Sequence, residues 1–371
     1  MNDCVASTSE TSRRRVLRGG LQLLAGAASI SMLGRAGAAT ETVSRTTTTS
    51  VTASPPQIAF QSPEAGAAAL ANTAGDTYYA NMQMLDIRAR TKSTLTGKSL
   101  AEARIAVRDY DAAAVLAFTD EERAAIRGVI ERMQTLLAVR APLYARTPWS
   151  FIKLDDRAEG GMPHTRGAHI VMPRETVEAY AKMHRESSAN GTLAATPRGR
   201  SLLLHEQTHV LERASPARFE PLFTDVFGFT RMTPAPLTPW LQAHTGVNPD
   251  GPDVVWAFAL DKIGASGWIM PDVVFPDVAV PRMPEDFQTI GIEVVKTAEG
   301  WKIVEENGLP KRRDLDKIPG YDAHFPFPDE DFHPNEIAAV TLAHWILQDV
   351  PDVNERPLMP AVAGWAKKAL A

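Results

Sequence analysis

The stretch Leu202–Leu211, LLLHEQTHVL, constrains this chain more than any other. It carries His205, Glu206 and His209 in the pattern H-E-x-x-H, and the four-residue spacing sets the two imidazoles one helical turn apart. With His205 at zero on a helical wheel, His209 falls at about 40° and Glu206 at about 100°. Leu203, Val210, Gln207, Leu211 and Leu204 fill the arc between about 140° and about 260°. The pattern predicts a helix with two metal-ligating side chains on one face and an apolar back buried in a core. Neutral imidazoles bind a metal, and a carboxylate beside them can take a proton from a metal-bound water, which is zinc-hydrolase chemistry. Burying two imidazoles and a carboxylate without such a use would be costly.

The helix has strong expected limits: Thr196 as N-cap, Pro197 in the first turn, and Ser215-Pro216 as the stop. A following helix runs from Ser215-Pro216 through Phe219, Leu222, Phe223 and Val226 to Gly228.

Zinc needs a further protein ligand, and the only cysteine is Cys4, so it must be His, Asp or Glu. A metzincin continuation is excluded, because Glu212 and Ser215 stand where Gly and His would be. Glu220 and Asp225 are near in sequence but lie in no motif. Glu336 does lie in one: His333-Pro334-Asn335-Glu336-Ile337-Ala338-Ala339 leads into Val340, Leu342, Ala343, Trp345, Ile346 and Leu347. Pro334 suits a first helical turn, which puts Glu336 one turn into a buried helix, where a carboxylate needs a partner.

Asn335-Glu336-Ile337-Ala338-Ala339, together with the H-E-x-x-H run, resembles the gluzincin metallopeptidases, in which a downstream N-E-x-x-(A/S) helix supplies the third ligand. The resemblance implies His205, His209 and Glu336 as ligands of one zinc ion and Glu206 as general base. It departs at two points. Val340 stands where thermolysin-like members carry an aspartate that orients a zinc histidine, so that support must come from elsewhere, such as Asp225 or a backbone carbonyl. Glu336 also follows His209 by 127 residues, much further than in thermolysin. Gluzincins use a Tyr or His on the oxyanion. Tyr321, His324 and His333 are the candidates here, with Tyr321 favoured and packing or capping roles open for all three.

The N-terminus carries Ser12-Arg13-Arg14-Arg15-Val16-Leu17-Arg18, a weakly apolar run from Gly19 to Leu33, and Ala36-Gly37-Ala38. This reads as a twin-arginine (Tat) export signal over residues 1–38, with a periplasmic or secreted destination. Removing it takes five arginines and two acids from totals of 39 basic and 44 acidic residues, leaving a net charge near −8. Such a balance argues against nucleic acid or an anionic membrane as the main partner. No later run is long and apolar enough for a membrane span. The partner we expect is a peptide or peptide-like substrate.

Residues 39–57 are a Thr/Ser-rich linker. Residues 58–147 read as a helical region: Ser62-Pro63 starts a helix to Leu85, Ser99 starts a second, and Thr119-Asp120-Glu121-Glu122 is a capping box for a third, reaching Val139. Nothing there suggests chemistry. Residues 148–350 read as a zincin-like catalytic region, with a β-rich insertion at about 233–305, and residues 351–371 as a C-terminal tail or helix. Trp149–Leu154 and His169–Met172 read as strands, Glu175–Arg185 as a helix, and Thr289–Lys296 with Trp301–Val304 as a hairpin. His164–Met172 sits where zinc peptidases place an edge strand that pairs with extended substrate; an ordinary central strand fits the pattern equally. His164, His169, His184, His244 and His344 read as solvated or core histidines.

The fold class expected is α+β. A non-catalytic envelope protein retaining the fold, and a zinc amidase acting on cell-wall peptides, are the competing readings.

Overall fold

The computed structural model describes residues 55–189, 197–232, 237–251, 255–328 and 331–371. The stretch expected to be an export signal, most of the expected linker and the expected Thr196 cap lie outside the described residues. The fold is α+β, built around two sheets and a central pair of helices.

The first sheet has the order β1 (Ile58–Phe60), β3 (Trp149–Leu154), β5 (His169–Pro173), β4 (His164–Arg166), with β2 (Val115–Leu116) also paired to β3. β1, β3 and β5 run parallel, and β4 is the antiparallel edge. The run His164–Met172 is therefore two strands: its first three residues form the edge and its second half lies inside the sheet. β1 and β2 come from the region expected to be only helical.

Both faces of this sheet are covered, and β3 alternates accordingly. Trp149 and Phe151 join the main core, which holds Ile126, Ile130, Met133 and Leu137, while Ile152 and Leu154 face Leu70 and Val115. Helix α1 (Pro63–Ala71), capped by the Ser62 hydroxyl, comes so close that a Cβ on Gly66 would stand 2.9 Å from Val115 Cγ1. The expected helix to Leu85 is broken: α2 (Tyr78–Asn81) and α3 (Met84–Thr91) follow as separate pieces. Asn72 takes an extended conformation as the C-cap of α1, which ends that helix. α4 (Leu100–Ala113) and α5 (Asp120–Arg140) begin with capping boxes at Ser99/Glu102 and Thr119/Glu122. Glu122 serves twice, because its other oxygen accepts from Lys153 Nζ of β3 at 2.7 Å. After α6 (Pro142–Arg146), α7 (Arg174–Ala189) follows β5.

The metal-motif helix α8 spans Pro197–Ala214 and packs along α12 (Pro334–Leu347). Leu203, Leu204 and Leu211 are buried in the main core. Thr208 of α8 bonds Tyr144 at 2.6 Å, and Gln207 donates to the Pro148 carbonyl. α12 is buried almost all round, as an apolar helix in the middle of a fold must be. Arg140 of α5 donates to the carbonyls of Trp345 and Ile346 near its C-terminal end. α9 (Pro216–Pro221) continues into a wider π turn at Leu222–Val226, and Gly228 closes it with φ +86°.

The second sheet is an antiparallel meander of β6 (Phe229–Met232), β7 (Val255–Ala259), β8 (Trp268–Val274), β9 (Gln288–Thr297) and β10 (Gly300–Ile303). β11 (Glu305–Glu306) and β12 (Leu309–Pro310) form a small pair, and β13 (Arg312–Asp314) adds to β9 beside β10. The sheet thus runs past both ends of the expected insertion. It presents Phe229, Phe258 and Ile269 to the main core and Ala257, Met270, Ile290 and Ile292 to a cluster of its own. α10 (Pro239–His244) lies between β6 and β7, α11 (Tyr321–His324) precedes α12, and α13 (Met359–Ala369) closes the chain. Among the described residues, no helix is long and apolar enough to cross a membrane.

Candidate metal centre

His205 and His209 project from α8 toward Glu336 on α12. His205 Nε2 and His209 Nε2 are 3.1 Å apart, and Glu336 Oε2 lies 3.3 Å from the first and 3.4 Å from the second. Among the described residues these three are the group that could hold a metal ion. The fit follows from what the atoms are. Glu336 is an acceptor when ionised, and a neutral His209 that donates through Nδ1 to Glu212 Oε2 at 3.0 Å turns its Nε2 lone pair toward the group. Electron-rich atoms converging this closely need a proton or a cation between them. Ligands at about 2.0–2.1 Å in a tetrahedral site are about 3.3 Å apart, close to all three separations, whereas one face of an octahedral site would hold them at about 3.0 Å.

Electrostatics bind the triad together. Burial would push the Glu336 carboxyl up, but His209 and His205 outweigh it and hold the group well below the usual carboxylate range. Burial also opposes charge on His209, yet Glu336, Asp250 and the bond to Glu212 hold it well above an ordinary imidazole.

Glu206 is buried beside the triad, and its Oε2 has no hydrogen-bond partner. Its carboxyl is pushed up to about 8, chiefly by burial and further by Asp250 and Glu336, with His205 and His209 acting the other way. A buried carboxylate oxygen left without a donor is costly, and a water or substrate proton would satisfy it.

Three residues supporting the centre were not among the sequence candidates. Glu212, on the same helix as His209 and one turn later, takes the orienting role for which Asp225 was considered. Its carboxyl is pushed up to about 7, mainly by burial. Asn248 Nδ2 donates to Glu336 Oε1 at 2.8 Å, so the oxygen not facing the histidines is also held. Asp250 accepts from the backbone and hydroxyl of Thr165 at 2.7 and 2.6 Å. The His209-x-x-Glu212 spacing was a readable signal for the first. Asn248 and Asp250 lie in a loop with no local pattern, and only the tertiary structure brings them in.

The remaining candidates lie elsewhere. Glu220 and Asp225 are exposed, and Asp225 accepts from the Thr224 hydroxyl. Tyr321 is fully buried, its hydroxyl donating to the Asp331 carbonyl at 2.8 Å and its ring packed edge-on to Phe258 and Phe325. That hydroxyl proton is committed to the protein backbone rather than offered to the triad. His324 bonds the Phe227 carbonyl, and His333 is the N-cap of α12, accepting from Asn335 N–H. Of the other histidines, His164 bonds the Met162 carbonyl, His169 Ser150, His244 the Trp240 carbonyl and His344 Asp349.

Comparisons of the chain with protein-family models, with curated proteins and with solved structures found no match.

Proposed function

We propose that this chain is an exported, zinc-dependent hydrolase of zincin-like build that cleaves amide bonds in peptides or peptide-like substrates. One observation carries the reading: His205 Nε2, His209 Nε2 and Glu336 Oε2 converge within 3.4 Å beside the unpartnered, buried Oε2 of Glu206. Two imidazoles and one carboxylate at tetrahedral separations suit zinc better than calcium or magnesium, which take oxygen ligands. Zinc, when bound, polarises a scissile carbonyl and lowers the pKa of a water.

Every other step belongs to the chain. Glu206 accepts the proton of the attacking water and returns it to the leaving amine. Burial lifts its basicity for the first transfer, and a nearby positive charge lowers it toward the neutral range where both transfers are favourable. Glu212 fixes the His209 tautomer, and Asn248 keeps one Glu336 oxygen engaged so that the other faces the histidines. The hydrophobic back of α8, seated in the core, keeps both histidines in register.

The test joins metal analysis to turnover. The purified full chain should hold one zinc ion, His205→Ala and Glu336→Ala should hold none, and the zinc form should hydrolyse short blocked peptide amides in a chelator-sensitive way. Zinc held without turnover on such a panel would reject the hydrolase.

A further inference from the structure

The edge strand β4 has three residues, and in an antiparallel ladder alternate residues turn their backbone groups outward. Thr165 is the outward one. Its N–H donates 2.7 Å to Asp250 Oδ1, so its pairing with Ile170 is the open kind, while His164 and Arg166 pair toward β5. An extended substrate adding to this edge would need the Thr165 N–H and carbonyl, since main-chain bonds supply the affinity in that mode. The first is taken and the second is crowded. Asp250 holds the N–H, and Arg213 of α8, one turn past His209, places Nη2 3.5 Å from the carbonyl.

The segment carrying Asp250 is bolted down along its length. The Val247 N–H donates to Asp86 Oδ2 at 3.1 Å, and its carbonyl accepts from Arg90 at 2.7 Å. Asp86 and Arg90 are themselves buried and paired at 2.7 Å. Asn248 holds Glu336, the Pro249 carbonyl accepts from Arg213, and the Asp250 N–H donates back to Asn248 Oδ1 at 2.9 Å. Asp250 is the stronger acceptor of the two contenders for Thr165: a carboxylate taking two short bonds outcompetes a neutral substrate carbonyl.

We propose that Val247–Gly251 is a built-in strap over the substrate-pairing edge of the first sheet, with Asp250 as the specificity-determining residue. The site then takes short amide substrates that need no strand pairing and rejects polypeptide in extended conformation. This rests on the hydrolase reading above for its chemistry, but the strap itself is testable without turnover.

The experiment compares the zinc-loaded full chain with Asp250→Ala and Asp250→Asn. Asn keeps an acceptor for the Thr165 N–H and removes only the charge; Ala removes both. The ratio of kcat/KM for an unfolded, disulfide-free polypeptide over a blocked dipeptide amide should rise about tenfold or more in Asp250→Ala, the factor expected for releasing one charge-assisted hydrogen bond. It should rise by less in Asp250→Asn, which keeps an acceptor for the Thr165 N–H but loses the charge that favours Asp250 over a substrate carbonyl. Hydrogen exchange at the Thr165 amide, read without any substrate, should accelerate in Asp250→Ala by about tenfold or more and remain slow in the wild type. A wild type that cleaves polypeptide as readily as dipeptide, or an unmoved ratio in Asp250→Ala, overturns the specificity role; unmoved exchange overturns the strap. Accelerated exchange with no hydrolysis by any zinc-loaded form supports the strap and rejects the hydrolase reading, and with it the substrate class.

Discussion

Glu212 Oε2 accepts from His209 Nδ1 at 3.0 Å, across a single turn of one helix. A candidate ligand and the group that would orient it are therefore carried by the same rigid element, and neither depends on a loop for their mutual geometry. Glu212→Ala is expected to weaken zinc binding about 10- to 100-fold, the usual cost of removing such a partner. Glu212→Gln, which keeps an acceptor oxygen, should recover most of the loss. Competition against a chromogenic chelator measures both.

Asn248 has the matching role at Glu336, but from a loop. Asn248→Ala leaves Glu336 Oε1 without its amide donor and should lower zinc affinity about tenfold. Asn248→Asp should do worse, because it sets a carboxylate against another at hydrogen-bond distance. Equal affinity in all three proteins by the same titration would remove Asn248 from the site.

Glu206→Gln is expected to retain zinc at wild-type stoichiometry and to lower kcat by about 10²- to 10⁴-fold, the range for a general base. Metal content and turnover should be measured on one preparation. Loss of both together would mean that Glu206 builds the site rather than serving in the reaction.

A second buried charge cluster contributes to the acid limb of stability. Glu159 bonds Arg90 and the Tyr78 hydroxyl and is almost fully buried. Burial pushes its carboxyl up, but Arg90, aided by His164, pulls it down to about 2, against an ordinary 4.5. The folded-state value is the lower one, so the stabilisation is complete above pH 4.5 and is lost as pH falls toward 2. Asp111, pushed well up by burial and by Glu159, contributes with the opposite sign at higher pH. Glu159→Gln should cost about 3 kcal/mol at pH 7, as expected for breaking a buried pair. In denaturant titrations the gap from wild type should narrow by pH 3. A constant gap would place Glu159 outside the acid transition.

Local readings succeeded where local physics decides. The capping boxes at Ser99 and Thr119 need only a hydroxyl and a carboxylate three residues apart, and both form. Trp149–Leu154 reads as a strand because it alternates between two cores. The helix expected to reach Leu85 stops at Ala71: Asn72 turns extended and Gly75 takes φ +74°, so Tyr78 and Tyr79 sit on a separate turn with their hydroxyls bonded to Glu159 and Asp111. Tyr321, placed by sequence near the Glu336 helix, is instead core, because proximity along the chain says nothing about which way a ring points.

What the sequence determined by itself is the candidate ligand pair. His205, Glu206 and His209 share a helix whose hydrogen bonds set their spacing before any packing occurs, and the leucines beside them decide which face is buried. What only the tertiary structure decided is everything contributed by other segments: which oxygen of Glu336 meets the imidazoles, that Asn248 holds the other, and that Asp250 occupies the edge at Thr165. Those contacts join segments up to 131 residues apart in sequence, from His205 to Glu336. Contacts at such range have no periodicity of their own; they exist because buried polar atoms must find partners once the two cores have closed.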